Sequence, residues 1–262
     1  MFDEQALSII AAPLLAGVLV IATHVPLGRE VLKRGIIFID LAVAQIAGLG
    51  VIIALMLDLD MGNWQTQVIA AVAALLGAAL IGVFERFWPE SQEALIGTTF
   101  VMAATGSLLL LAGDPHAGDH LTDLLAGQLL WVDHEQLGWV AAVYVLVLLL
   151  WFLFGPGRLR FYLLFAVTVT ASVQLVGVYL VFSSLIIPAL AVQRLQGFAA
   201  IAAGYILGAV AFAAGLLCSL WFDWPAGPTV VWMLALLGVI SATMISKCRC
   251  AAATQVGNMQ EK

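Results

Sequence analysis

Charge is the scarcest property of this sequence. Only 10% of its 262 residues are charged, against 63% hydrophobic, and the mean hydropathy is +1.09. A soluble domain carries roughly 25% charged residues, so a water-facing globule is excluded and an integral membrane protein remains. Cysteine is nearly as sparse. Cys218, Cys248 and Cys250 are too few for a disulfide framework, and the Cys248–Arg249–Cys250 pair has no histidine beside it to complete a metal site. Catalytic signatures are missing as well. There is no Gly-x-Ser-x-Gly elbow, no His-Glu-x-x-His pair and no glycine-rich phosphate loop. A membrane enzyme is thereby disfavoured, and the energy for any pumping must come from a partner chain. The start of the chain lacks a basic n-region, carrying Asp3 and Glu4 instead, so the first apolar run reads as a retained helix.

What is present is a series of apolar runs at 7–22, 35–57, 67–84, 94–112, 137–154, 161–192, 198–222 and 229–246. Most are long enough to cross a bilayer, or nearly so. Small residues recur within them, as at Gly204 and Gly208, where a Gly-x-x-x-Gly pattern permits close helix approach. The implied fold is all-α: a polytopic helical membrane bundle of about eight to nine transmembrane segments. Residues 1–250 form one transmembrane domain, and 251–262 read as a disordered cytoplasmic tail.

The run from Phe161 to Val192 contains no charged residue. As helix it would be roughly 48 Å long, against a hydrocarbon core of roughly 30 Å. A broken helix pair meeting near Gly177 fits better than one tilted rod. Thr168, Thr170, Ser172, Gln174, Ser183 and Ser184 lie inside the run and need protein or water partners, and Pro188 interrupts it.

Counting that run as two crossings, with the amino terminus outside, brings every Lys and Arg to the cytoplasmic side. The other side then holds acids and no base, a surface that concentrates cations and repels anions, nucleic acid included. Two features fit a cation path. The exterior loop 113–136 carries Asp114, His116, Asp119, His120, Asp123, Asp133, His134 and Glu135, a ligand set suited to zinc or manganese. Its plainer reading is a solvated loop in which Asp119 or Thr122 caps a short helix over 121–132. The second feature is Asp40, placed within the second apolar run and read as lying deep in the bilayer. A carboxylate at the bilayer centre costs about 2.5–3.5 kcal/mol and tends to face a pathway. Gln45, five residues on, would share a broad wall with it. The plainer alternative is an ion pair near the headgroups with Lys33 or Arg34. His24 reads as an interfacial side chain at the inner end of the first span.

Basic loop, Asp40, a small-residue helix, Glu93-Ala94-Leu95-Ile96-Gly97, Asp123-Leu124-Leu125, Gly127, Gln174-Leu175-Val176-Gly177-Val178-Tyr179-Leu180-Val181 and Leu185-Ile186-Ile187-Pro188-Ala189 follow one another. In that order they resemble the ABC-3 group, the membrane permeases of bacterial ABC importers for zinc, manganese and iron. The resemblance implies a permease dimer in the bacterial inner membrane, two cytoplasmic ATPase subunits and a periplasmic metal-binding protein. It implies a transported divalent metal and no permanently bound cofactor. It also implies a pathway Asp and His one turn apart in the second span. Asp40 matches the Asp, but Ala44, or Gln45 if the helix is shifted, fills the histidine slot. The cytoplasmic stretch that docks on the ATPase in the family is reduced here to residues 155–160, so either coupling falls to 24–34, 85–93 or 194–197, or tight coupling to ATP is lost. Two readings from other classes stay open: a secondary cation transporter using Asp40, and a structural membrane subunit whose polar residues only hold helices together. Contact with lipid through Arg29, Lys33 and Arg34 is expected in each case.

Overall fold

The computed structural model describes residues 4–57, 59, 64–111, 125, 127, 129–132, 134–155 and 157–260, with side chains from 10 to 247. Among them are nine α-helices: α1 (Glu4–Arg34), α2 (Ile39–Met56), α3 (Trp64–Phe87), α4 (Gln92–Leu110), α5 (His134–Phe154), α6 (Arg158–Val176), α7 (Val178–Ala191), α8 (Gly197–Phe222) and α9 (Ala226–Gln260). Eight are long and apolar enough to cross a membrane, and α7, with 14 residues, is the short one. Helix continues through the stretch read from sequence as a disordered tail, as far as Gln260. α1, α2 and α6 are mostly buried, while α3, α4, α5 and α9 turn most of their surface outward. In a membrane protein that outward surface is what lipid solvates, which is why Leu109, Leu146 and Phe152 stand exposed without penalty.

The described basic residues gather at one end of the bundle. Arg34 Nε lies 3.0 Å from Glu30 and its Nη1 3.8 Å from Glu85, which also meets Arg158 Nε at 2.9 Å. The Arg34 guanidinium also stacks 4.4 Å over the Phe161 ring. These contacts tie the ends of α1 and α3 to the start of α6. Arg29 donates to the Gly197 carbonyl at the start of α8, and Arg194 donates to Ser246 Oγ at 2.5 Å, joining the end of α7 to α9. α5 ends at Phe154 and α6 begins at Arg158, three residues apart.

The charge-free run breaks where its length requires. Gly177 adopts φ 79° and ψ 162°, a conformation open to glycine and strained for other residues, and it separates α6 from α7. The two arms fold back on each other. Ser172 and Ser184 lie twelve residues apart, which would be about 18 Å in a continuous helix, yet both hydrogen-bond to one imidazole. Gly127 closes over this junction. A Cβ there would meet the Gly177 nitrogen at 2.5 Å, so the segment carrying Gly127 rests directly on the hairpin tip. Of the short outer helix expected over 121–132, Leu125 is helical and Leu129–Trp131 form a 3-10 turn, with Leu129 buried and Trp131 exposed.

α1 continues through Pro26. That proline has no N–H for the Ala22 carbonyl four residues back, and the Tyr205 hydroxyl of α8 donates to it at 3.0 Å. The same face of α8 presents Gly204 to Val25 and Gly208 to Ile21, so the Gly-x-x-x-Gly pattern seats α8 against α1. On α1, Gly28 faces the Leu185 carbonyl of α7 so closely that any side chain would collide with it.

Candidate functional site: a carboxylate mouth and a buried imidazole

Asp40 occupies the first turn of α2, at the basic end. Of the two positions weighed for Asp40, deep in the span or near the headgroups, the structure gives a side chain buried in protein in the first turn of the helix. α1 runs to Arg34 and only residues 35–38 intervene, so the chain re-enters the bundle almost at once. Asp40 is 1% exposed, and its Oδ1 has no hydrogen-bond partner. Lys33 and Arg34 make ion pairs with Glu30, and Arg34 makes another with Glu85. Phe38, which precedes α2, donates its backbone N–H to Glu93 Oε1 at 3.1 Å, and Glu93 Oε2 is buried without a partner. Gln45 is half-buried about 7.5 Å further along α2, and Ala44 is buried. Asp114, His116, Asp119 and His120 fall outside the described residues, as do Asp123 and Asp133. Among the described residues, no three His, Cys, Asp or Glu side chains stand close enough together to hold a metal ion.

A residue that local reading placed at the interface proves central. His24 is fully buried. The first span runs from Ile10 to Arg34, not only to residue 22, so His24 stands inside the helix, about 15 Å before its end at Arg34. Its Nδ1 lies 2.7 Å from Ser184 Oγ on α7, and its Nε2 lies 2.9 Å from Ser172 Oγ on α6. Tyr144 of α5 reaches Ser172 Oγ at 2.5 Å, and Ser172 donates to the Thr168 carbonyl at 2.7 Å. One assignment of protons satisfies every group. A neutral imidazole donates from Nε2 to Ser172, Tyr144 donates to the same oxygen, and Ser184 donates to Nδ1. Three helices therefore meet on one uncharged ring, with α5 joining through Ser172, and both arms of the Gly177 hairpin are fixed to α1 through it. A signal for this was present in the sequence. Ile21, His24, Gly28 and Val31 repeat at three- and four-residue spacing straight through Pro26, the stripe of a helix that does not stop.

Comparison with known proteins assigns this architecture. The ABC 3 transport family matches residues 6–156 and 157–245, which is nearly the whole chain. The chain belongs to the ABC 3 transport family. Two solved structures share its fold. One is PsaBC from Streptococcus pneumoniae in complex with Fab, with TM-score 0.72, 24% identity, and 90% of this chain and 92% of that one covered. The other is a metal-chelate type ABC transporter in an inward-facing conformation, with TM-score 0.67, 15% identity, and coverage of 93% and 90%. Membership explains the order of the motifs around Gly177 and Pro188. The slot one turn after Asp40, where the family resemblance calls for histidine, is Ala44. The histidines whose side chains are described, His24 and His134, lie on α1 and α5 and not on α2.

Proposed function

We propose that this member of the ABC 3 transport family is the permease subunit of an importer that carries a divalent metal ion from the periplasm to the cytoplasm. Zinc is the first candidate, manganese and iron the next. In this reading the chain pairs with a second copy in the bacterial inner membrane, with its amino terminus outside and its carboxyl terminus in the cytoplasm. Two ATPase subunits on the basic face supply the energy, and a periplasmic metal-binding protein delivers the ion. The gathering of the described basic residues at one end supports that orientation.

The observation that carries the reading is Asp40: the one acid among the described buried residues, with one carboxylate oxygen unpartnered. An anionic oxygen withdrawn from water needs a cation or a proton to be stable there. Carboxylate without adjacent imidazole is a hard, oxygen-only environment, so discrimination among divalent ions at this point is weak and selection rests on other groups. The test is cellular zinc, manganese and iron content with the chain present, deleted, and carrying Asp40→Ala or Asp40→Asn. The expected result is a deficit of one metal in the deletion, reproduced by both variants. Unchanged contents in all three strains would refute the transport reading.

A further inference from the structure

The geometry points to Glu93 as the second carboxylate of the cation site at Asp40, forming with it an exit mouth for a divalent ion at the basic end of α2. This inference rests on the permease reading above. Glu93 is the second residue of α4, held in place by the turn Pro89–Ser91 that precedes it. Its Oε1 accepts the Phe38 N–H at 3.1 Å, which sets the carboxylate against the opening turn of α2, two residues before Asp40. Each acid then keeps one buried oxygen with no hydrogen-bond partner: Oε2 of Glu93 and Oδ1 of Asp40. Buried polar atoms without a partner are rare, on the order of one in ten or fewer. Three stand among the described residues; Glu85 Oε2 has the Arg158 guanidinium at 2.9 Å, and the other two belong to carboxylates at the opening turn of α2. The positive end of α2 offsets part of that negative charge, and a cation held at this turn would supply what each free oxygen lacks.

The split role of Glu93 gives the site its test. Capping α2 needs one carbonyl-type oxygen, which glutamine also offers. Binding a cation needs the second oxygen and its charge, which glutamine lacks. We therefore expect Glu93→Gln to leave the cap intact and to damage transport.

The experiment uses the chain with its ATPase partners in proteoliposomes and reads ATP-driven movement of Zn²⁺ and of Mn²⁺. Glu93→Gln should slow uptake by about tenfold or more, the size seen when a metal site loses a supporting group. Its thermal midpoint in detergent should match the wild type. Glu93→Asp keeps the charge and withdraws it by one methylene, and should raise KM for the ion while kcat is kept. Wild-type uptake by Glu93→Gln, or an unchanged KM in Glu93→Asp, would overturn the inference. Asp40→Asn separates the two levels of the argument. If it transports normally, the permease path through Asp40 is wrong. If it fails while both Glu93 variants behave as wild type, only the role of Glu93 is wrong.

Discussion

Replacing His24 by leucine removes the ring that joins α1 to both arms of the Gly177 hairpin. Two hydrogen bonds are lost, to Ser172 and to Ser184. Neither hydroxyl is left stranded. Ser172 still donates to Thr168 and still meets Tyr144, and Ser184 has the Val181 carbonyl at 3.0 Å. The full penalty for a buried orphan therefore does not apply. Hydrogen bonds between membrane helices average about 0.6 kcal/mol and reach about 1.7, so the pair together should be worth about 1–3 kcal/mol. Leucine fills most of the ring's volume, whereas His24→Ala adds a cavity and should cost about 1–2 kcal/mol more. The assay is thermal unfolding in detergent, with a double-mutant cycle between His24→Leu and Ser184→Ala. A coupling energy of about 0.6–1.7 kcal/mol is expected. Amide hydrogen exchange should also quicken at Gly127 and along 173–180, because the hairpin tip loses its tether. A coupling below about 0.5 kcal/mol, the usual limit of additivity, with exchange unchanged, would refute the idea that this ring fixes the hairpin.

Two further outcomes follow from backbone geometry. Tyr205→Phe strips the Ala22 carbonyl of its donor and should cost about 1–3 kcal/mol in detergent unfolding. The cost should shrink when Pro26→Ala restores the helical N–H, and equal costs in both backgrounds would show that Tyr205 does not serve that carbonyl. Gly177→Ala forces a side chain into φ 79° and should cost about 1–3 kcal/mol. A stabilised Gly177→Ala protein, measured by the same unfolding midpoint, would show that the hinge is not held in that conformation.

How much of this was legible depends on which physical scale each feature answers to. The break at Gly177 follows from a comparison of two lengths, a charge-free run and a bilayer, and both can be read from one segment. The clustering of Arg29, Arg34, Arg158 and Arg194 follows from counting charges between runs, which is again local. Depth is different. Where Asp40 lies is set by where α1 ends, and that end was misplaced because Pro26, Gly28 and Arg29 look like the start of a loop. The sequence within reach of Pro26 offers no replacement donor for the Ala22 carbonyl. The donor is Tyr205, 183 residues away. Once it is supplied, α1 extends by about three turns, and His24 moves from the end of a helix to its buried interior.

The same dependence separates the two polar stations of the bundle. Asp40 and Glu93 lie at the basic end because α2 and α4 both begin there, and each keeps one buried oxygen without a hydrogen-bond partner. His24 lies about three turns deeper, between helices that have already satisfied each of its nitrogens. A group whose bonds are all made internally acts as a tether, and a group with a bond left over acts as a receptor. On that distinction the proposed transport path assigns the ion to the carboxylates rather than to the imidazole, and the imidazole holds the Gly177 hairpin in shape.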